Sequence, residues 1–534
     1  MLAEVLDQLF PGFSYRKWQR ETILAALQAI ADGKKYIIIN APTGSGKSHT
    51  AHKVASVFNE ITGLGALTIT KTIGLQNQYV QDFPDMKKLM GATNYDCHTD
   101  HVVPIPPKMK HHGTCKYAKN SGCCEYHRAK QDYVKAPLKL LNYAFFLTGI
   151  HTYNTPGLLI ADEAHNLEES ILDTLDTTLN LLTLNKDSMD GVLLEQYLPK
   201  ALASYNQLTV HEVRAVCEFL KTILAALTIQ IGDLEQTLEQ SGISDKIIHM
   251  IETKLTPLQA KYDRLFKLST ILHYLRDDNF DNWEITFNKD DVEFNLKPVF
   301  IPPLLHKFIF DKPAAVMFMS ATPQRVIQSL HLDPKECHLI NVPYIFDLEN
   351  RPVFAMQSLP SLNYKSRDTA LPKYIETMDQ LIDNYPADTN ILVHSVSYKN
   401  AEFFKEHSKH KGRIFIPTSS EVRELKTLAG NGKIIVSPSV TEGIDLADGL
   451  AAVQIFMKCP YPFLGSEWVN KKMHADLEWY EYKTVLTMIQ GAGRGIRGPN
   501  DKADTYILDP SFKRVYEQVL HLVPKWFQST VQFV

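Results

Sequence analysis

Residues 36 to 50 read YIIINAPTGSGKSHT. A short β-branched apolar run meets a glycine loop, and helix-forming residues follow from Ser48. Strand, glycine loop and helix in that order can cradle a phosphate chain. Thr43, Gly44, Ser45 and Gly46 can turn backbone N–H groups onto phosphate oxygens. Lys47 is spaced to reach the β- and γ-phosphates of ATP, and Ser48 to hold Mg2+. Ala41 stands where the common pattern has its first glycine.

Such a loop needs an acidic partner for its metal. GLLIADEAH, at 157 to 165, is an apolar strand ending in acids. Asp162 would bind the metal through water, Glu163 would polarise the attacking water, and His165 would sense the reaction. MFMSAT at 317 to 322 is a second apolar strand closing on small hydroxyls. IIVSPSVTEGIDL follows at 434 to 446, and QGAGRGIRG at 490 to 498. Two arginines three apart on a helix share a face. Arg494 and Arg497, with Gln490 beside them, can therefore act as arginine fingers on a γ-phosphate. Alone, such a pair reads as a solvated helix face. Behind a phosphate loop and DEAH it reads as part of an ATP hydrolase.

Four of the seven cysteines, Cys97, Cys115, Cys123 and Cys124, crowd into one short stretch, while Cys217, Cys337 and Cys459 are scattered singly. Clustered soft ligands suggest a metal centre over disulfides. Four thiolates suit a [4Fe–4S] cluster. Zinc is the alternative: five histidines (98, 101, 111, 112, 127) lie nearby, although no C-x2–4-C pair is present. Neighbours in extended chain point oppositely. Both Cys123 and Cys124 could reach one centre only through a tight turn, which Gly122 permits. Otherwise Cys123 or a histidine is the odd group. From Asp96 to Lys130, six Lys and Arg face three acids. That excess suits either a surface guiding a nucleic-acid strand or a solvated loop.

The ordered set resembles superfamily 2 helicases, and more narrowly the XPD/DinG family of iron–sulfur DNA helicases. The matching stretches cover most of the chain outside 170 to 280. YRKWQRE places Arg16 and Gln19 where the family contacts the nucleotide. LTITKTIGLQNQ, with Thr70, Lys71 and Thr72, resembles the element that touches the DNA backbone. LLNYAFFL, with Asn142 and Tyr143, resembles the family's Asn-Tyr element. GATNYDC and CEYHRA resemble the first and last cluster-cysteine segments. VPYIFDLENRP resembles the bridge between the motor domains, and ILVHSVSY, with Ser395, the first strand of the second. Thr441 precedes Glu442, Gly443 and Asp445, which match the family's EGxD.

The resemblance implies a two-lobed motor with ATP between RecA-like lobes. The first lobe would supply Lys47, Ser48, Asp162 and Glu163. The second would supply Gln490, Arg494, Arg497 and Asp445. It further implies translocation on single-stranded DNA, opening of duplex junctions with 5′-3′ polarity, and work in repair, replication or recombination. A DEAH-type RNA helicase and a translocase without strong unwinding are alternative enzymes. A DNA-binding accessory protein with a decayed ATPase is the non-enzymatic one.

Stepwise spacing gives the elements that hold these residues. Ser320 follows His165 by 155 residues, far more than one loop and one helix need. Helix formers dominate 207 to 240 and 244 to 276. Val213, Val216, Leu220, Ile223 and Leu227 recur at 3 and 4 spacing, which predicts a helical hairpin. A coiled-coil oligomer is the alternative, though no strict heptad holds. The expected architecture is α/β: two RecA-like P-loop motor domains, the first carrying a small cysteine-rich iron–sulfur insertion and a helical arch. The expected bounds are 1–95, 141–175 and 281–340 for motor domain 1, 96–140 for the cysteine-rich insertion, 176–280 for the arch, and 341–534 for motor domain 2.

Of 534 residues, 44% are apolar and 22% charged, and the net charge is −4. That is a soluble globular composition, whose sign neither requires nor excludes nucleic acid. No run approaches the ~18 apolar residues of a membrane span, and the N-terminus has no secretory pattern. A cytoplasmic monomer is expected. About ten residues precede the first motor element, too few for an exonuclease domain there. The compact form suits a bacterial, archaeal or viral helicase.

Overall fold

The computed structural model describes residues 1–42, 44–91, 94–97, 103–104, 125–149, 155–189, 191–238, 244–363, 365–418, 432–438, 451–495 and 501–534. The chain forms two compact units. The first comprises Met1–Ser14, Arg20–Ile39 and Ser48–Ile340. The second comprises Tyr15–Gln19, Asn40–Lys47 and Asn341–Val534.

A seven-stranded sheet organises the first unit, in the order Cys337–Asn341, Tyr36–Asn40, Ala315–Ser320, Leu158–Asp162, Ala66–Thr70, Leu138–Asn142, Lys87–Lys88. Its central strands are buried along their whole length, which explains the unbroken apolar runs LLIA and AVMFM. Ala315–Ser320 pairs in parallel with Leu158–Asp162, Met319 standing opposite Asp162. Ala66–Thr70 pairs in parallel with Leu138–Asn142, Thr70 opposite Asn142. Thr70, Asn142, Asp162 and Ser320 therefore close their strands at one carboxyl edge, where open α/β sheets bind ligands.

The long stretch between DEAH and SAT folds into two parts. Thr177–Asn180, Glu293–Pro298 and Trp283–Asn288 make a three-stranded antiparallel sheet. Helices Val210–Leu238 and Asp245–Arg276 pack on one another, with Gln259 donating to Glu235 at 3.1 Å. The expected apolar face is buried: Val213, Val216, Leu220, Ile223 and Leu227, with Cys217 and Phe219. By length and composition alone Val210–Leu238 could cross a membrane, a test that a helix packed in a protein core also passes. Scattered polar residues such as Lys221 interrupt the apolar run, while the mean hydropathy stays at 1.5.

Asp96–Cys97 pairs antiparallel with Val103–Pro104. Cys115, Cys123 and Cys124 lie outside the described residues.

The second unit carries its own seven-stranded sheet, in the order Ile414–Phe415, Ile434–Ser437, Ile391–His394, Val453–Phe456, Asp504–Ile507, Val353–Ala355, Val531–Phe533. Every pairing in it is parallel. Ile391, Val436 and Ile455 pack with Tyr374, Met378 and Phe404 in one cluster. Phe456, Val485, Met488, Phe512 and Val515 form another. Both units are thus RecA-like α/β layers.

Candidate functional site

Gly44 and Gly46 hold φ of 83° and 82°, the left-handed region that glycine enters freely. Their carbonyls are held by side chains: Arg16 donates to Gly44, and Gln19 Nε2 donates to Gly46 at 3.0 Å. The backbone N–H of Arg16 donates to Gln19 Oε1 at 3.1 Å, which fixes that amide's orientation. A Cβ on Gly46 would stand 2.6 Å from Gln19 Nε2. Ser45 Oγ donates to the Pro42 carbonyl at 2.7 Å and is buried. Helix Lys47–Thr62 starts where the loop ends, so its positive end adjoins the loop. Thr43 lies outside the described residues.

In the first unit, Asp162 is buried at its strand end. Its Oδ2 accepts from the Tyr79 hydroxyl at 2.8 Å and its Oδ1 from the Glu163 N–H at 3.0 Å. Its carbonyl accepts from the Tyr143 hydroxyl. Burial, then the charge of Asp162, pushes both phenols well above their usual pKa, so both remain donors. The Tyr79 hydroxyl and the Glu163 N–H replace the water the buried carboxylate gives up. Glu163 sits at φ 55°, ψ 47°, a left-handed conformation unusual outside glycine. That turn swings its carboxylate out of the strand direction, and Oε2 comes 3.5 Å from His165 Nδ1.

His165 Nδ1 lies 2.7 Å from Ser320 Oγ, so the DEAH and SAT strand ends are joined directly. The Thr322 N–H donates to the same Oγ at 2.9 Å. His165 Nε2 lies 2.8 Å from Asn166 Nδ2, and Lys71 Nζ donates to Asn166 Oδ1 at 3.1 Å.

The residues read as nucleic-acid contacts divide by burial. Thr70 and Tyr143 have buried side chains, so in this structure they stand behind the edge. Thr72 caps helix Ile73–Asp82 by accepting the Leu75 N–H at 3.2 Å. Asn142 caps helix Tyr143–Thr148 by accepting the Phe145 N–H at 2.7 Å. Sequence reasoning missed Tyr79, although Gln76 and Tyr79 share the inner face of their helix at i, i+3.

In the second unit, Gln490 is half-buried on helix Leu477–Ala492, and Arg494 falls in the turn Gly493–Gly495 that follows. Gln454, fully buried, ties that helix end down: its Nε2 donates to the Ala492 carbonyl at 3.2 Å, and its Oε1 lies 3.3 Å from His394 Nε2. His394 stacks on Phe456 at 4.1 Å. A Cβ on Gly491 would stand 2.7 Å from Phe456 Cζ, and one on Gly495 2.8 Å from the Ala451 carbonyl. Both glycines thus admit close seating. Ser395 is buried at the end of its strand. Arg497, Thr441 and Asp445 lie outside the described residues. Among the described residues, no group of three His, Cys, Asp or Glu is gathered as a metal site.

Two family models match the chain. A helicase C-terminal domain matches residues 378–530, and the res subunit of type III restriction enzymes matches 12–189. ATP-dependent DNA helicase CHL1 of Kluyveromyces lactis is 22% identical over 485 residues, covering 77% of this chain and 59% of that protein. A probable ATP-dependent helicase of Methanocaldococcus jannaschii is 23% identical over 325 residues, covering 54% of this chain and 48% of that one. The chain thus spans about half to three fifths of the length of these curated relatives. A solved XPD helicase superposes with a TM-score of 0.60 at 14% identity, covering 98% of this chain and all of that one. S. tokodaii Xpd4 superposes with 0.54 at 14% identity, covering 97% of this chain and all of that one. These likenesses show the fold.

Proposed function

We propose that this chain, an XPD/DinG-like superfamily 2 helicase by its motifs and fold, hydrolyses ATP to move along single-stranded DNA and part the duplex ahead. The observation that carries this reading is the acid edge of the first unit. Asp162, Glu163, His165 and Ser320 stand together at the carboxyl ends of two paired parallel strands. A chain with no hydrolysis to perform has little reason to bury a carboxylate beside two phenols and to hold Glu163 left-handed.

In this reading the N–H groups of Thr43 to Gly46 and the ammonium of Lys47 bind the phosphates. Arg16 and Gln19 fix the loop that presents them. Ser48 and Asp162 hold Mg2+, which neutralises phosphate charge. Asp162 would reach the metal through water, its carboxylate already oriented by the Tyr79 hydroxyl and the Glu163 N–H. Glu163 orients and polarises the attacking water. Gln490, Arg494 and Arg497 meet charge developing on the γ-phosphate, and Asp445 contacts the nucleotide. Lys71, Thr72, Asn142 and Thr441 contact the strand, while Thr70, Tyr143 and Ser395, whose side chains are buried, support these contacts from behind.

Cys97, Cys115, Cys123 and Cys124 would hold the [4Fe–4S] cluster. The support is the donor set itself: four thiols in one short stretch. Protein purified without oxygen should be brown and contain about four irons per chain. One zinc per chain and no iron would replace the cluster with a zinc centre.

The decisive assay is strand displacement on duplexes with 5′ or 3′ tails, run beside ATPase measurements with single-stranded DNA and RNA. Unwinding from the 5′ tail and stimulation by DNA are expected. Stimulation by RNA alone would favour the RNA motor, and unwinding only from the 3′ tail would reverse the polarity. Lys47→Ala should abolish turnover.

A further inference from the structure

Four groups of the first unit form one continuous relay: Lys71, Asn166, His165 and Ser320. Their chemistry fixes the direction of each bond. An ammonium only donates, so the amide oxygen of Asn166 must face Lys71, 3.1 Å away. The amide nitrogen then faces His165 Nε2 at 2.8 Å and donates to it. A ring nitrogen that accepts carries no proton, so the proton of a neutral His165 sits on Nδ1. Nδ1–H lies 2.7 Å from Ser320 Oγ and 3.5 Å from Glu163 Oε2. Asn166 is buried, so water does not readily substitute in the relay. The position of one lysine thus decides which face of the imidazole shows its proton to Glu163.

We infer that Asn166 couples strand binding to hydrolysis by setting the tautomer of His165. The inference rests on the reading of Lys71 as a strand contact. When Lys71 Nζ turns to a backbone phosphate, Asn166 loses the cation that orients its amide. The amide can then flip and offer Oδ1 to His165 Nε2. As the amide turns and the relay opens, Nδ1 gives its proton to solvent and Nε2 takes one from it, so net protonation is unchanged. Bare Nδ1 now accepts from the Ser320 hydroxyl. Glu163 Oε2 loses the N–H that stood 3.5 Å from it, and water can donate to that oxygen in its place. Asn166 is here a positioning residue, acting through His165.

Two measurements test this. Asn166→Ala should lower the fold-stimulation of ATPase by single-stranded DNA at least about fivefold, the low end of ordinary coupling, while DNA affinity is unchanged. Unchanged stimulation in a folded variant would overturn the inference. Nitrogen-15 NMR of histidine-labelled protein, with His165→Gln for assignment, reads the tautomer in the wild type itself. Nδ1–H without DNA and Nε2–H with DNA is expected. One tautomer in both conditions overturns the inference, even should Asn166→Ala fail to fold. A wild-type ATPase indifferent to DNA would instead refute the strand-contact reading beneath it.

Discussion

The hydroxyl of Tyr79 donates to Asp162 Oδ2 at 2.8 Å, and both residues are buried. The phenol arrives from helix Ile73–Asp82, the carboxylate from the end of Leu158–Asp162. One oxygen of the proposed metal-binding acid is thus oriented by a side chain that takes no part in the chemistry. Partners of this kind fix the geometry and basicity of a ligand.

Tyr79→Phe keeps the ring and removes the donor. The variant should lose about 1–3 kcal/mol of stability, the scale of a hydrogen bond to a charged group. Asp162 should then hold its metal less well. The Mg2+ concentration for half-maximal ATPase is expected to rise about tenfold. Thermal unfolding and an Mg2+ titration of activity check the two parts.

This pairing shows where sequence reading stops. The phosphate loop is legible because its requirement is local: glycines must fall where φ turns positive, and Gly44 and Gly46 do. The hairpin is legible because apolar spacing repeats within each helix. Tyr79 and Asp162 are 83 residues apart, Lys71 and Asn166 95, Gln454 and Ala492 38. Their pairing is set by the order of strands in each sheet, and no local pattern encodes that. The three-stranded antiparallel sheet escaped for the same reason, since Thr177–Asn180 meets Glu293–Pro298 only once the intervening helices have folded back. Thr72 and Asn142 show a different limit: a polar residue opening a helix looks alike whether it caps, touches a strand, or does both.

Gly46→Ala tests the loop without touching a charged group. A left-handed alanine costs about 1–2 kcal/mol, and its Cβ would press on Gln19 Nε2 at 2.6 Å. Relieving both would shift the loop carbonyl off Gln19. KM for ATP should rise about tenfold or more, since 1.4 kcal/mol is one decade in affinity. A compensating Gln19→Ala in the same chain should not restore it, because the backbone strain remains.

Gln454→Leu tests the seat of the arginine-bearing turn. It leaves the Ala492 carbonyl without its side-chain donor and takes an acceptor from His394 Nε2. Stability should fall by about 1–3 kcal/mol. The turn Gly493–Gly495 would then be less firmly placed. kcat should drop about tenfold to a hundredfold, the scale of a ~1 Å misplacement, with KM for ATP little changed. An equal loss in both parameters would mean the helix as a whole had moved.

Lys53 carries a prediction about pH. It is buried on the helix that follows the phosphate loop, its Nζ 4.2 Å from the ring centre of Phe10 and 3.4 Å from that of Phe13. Burial pulls its pKa down to about 8 from the ordinary 10.5, and the charge of Asp85 offsets this in part. Below pH 8 the ammonium is charged in both states, and its burial opposes folding. Between about 8 and 10.5 the native chain has released a proton that the unfolded chain still binds. Stability therefore rises with pH through that window, on the order of 2 kcal/mol for a single group so shifted. Tyrosines and thiols titrate there too, so the measurement is a difference. Urea midpoints of wild type and Lys53→Met should diverge most below pH 8, with the variant more stable, and converge toward pH 10. A constant gap across that range would show that Lys53 is charged throughout and that the two phenylalanine rings hold it as a cation.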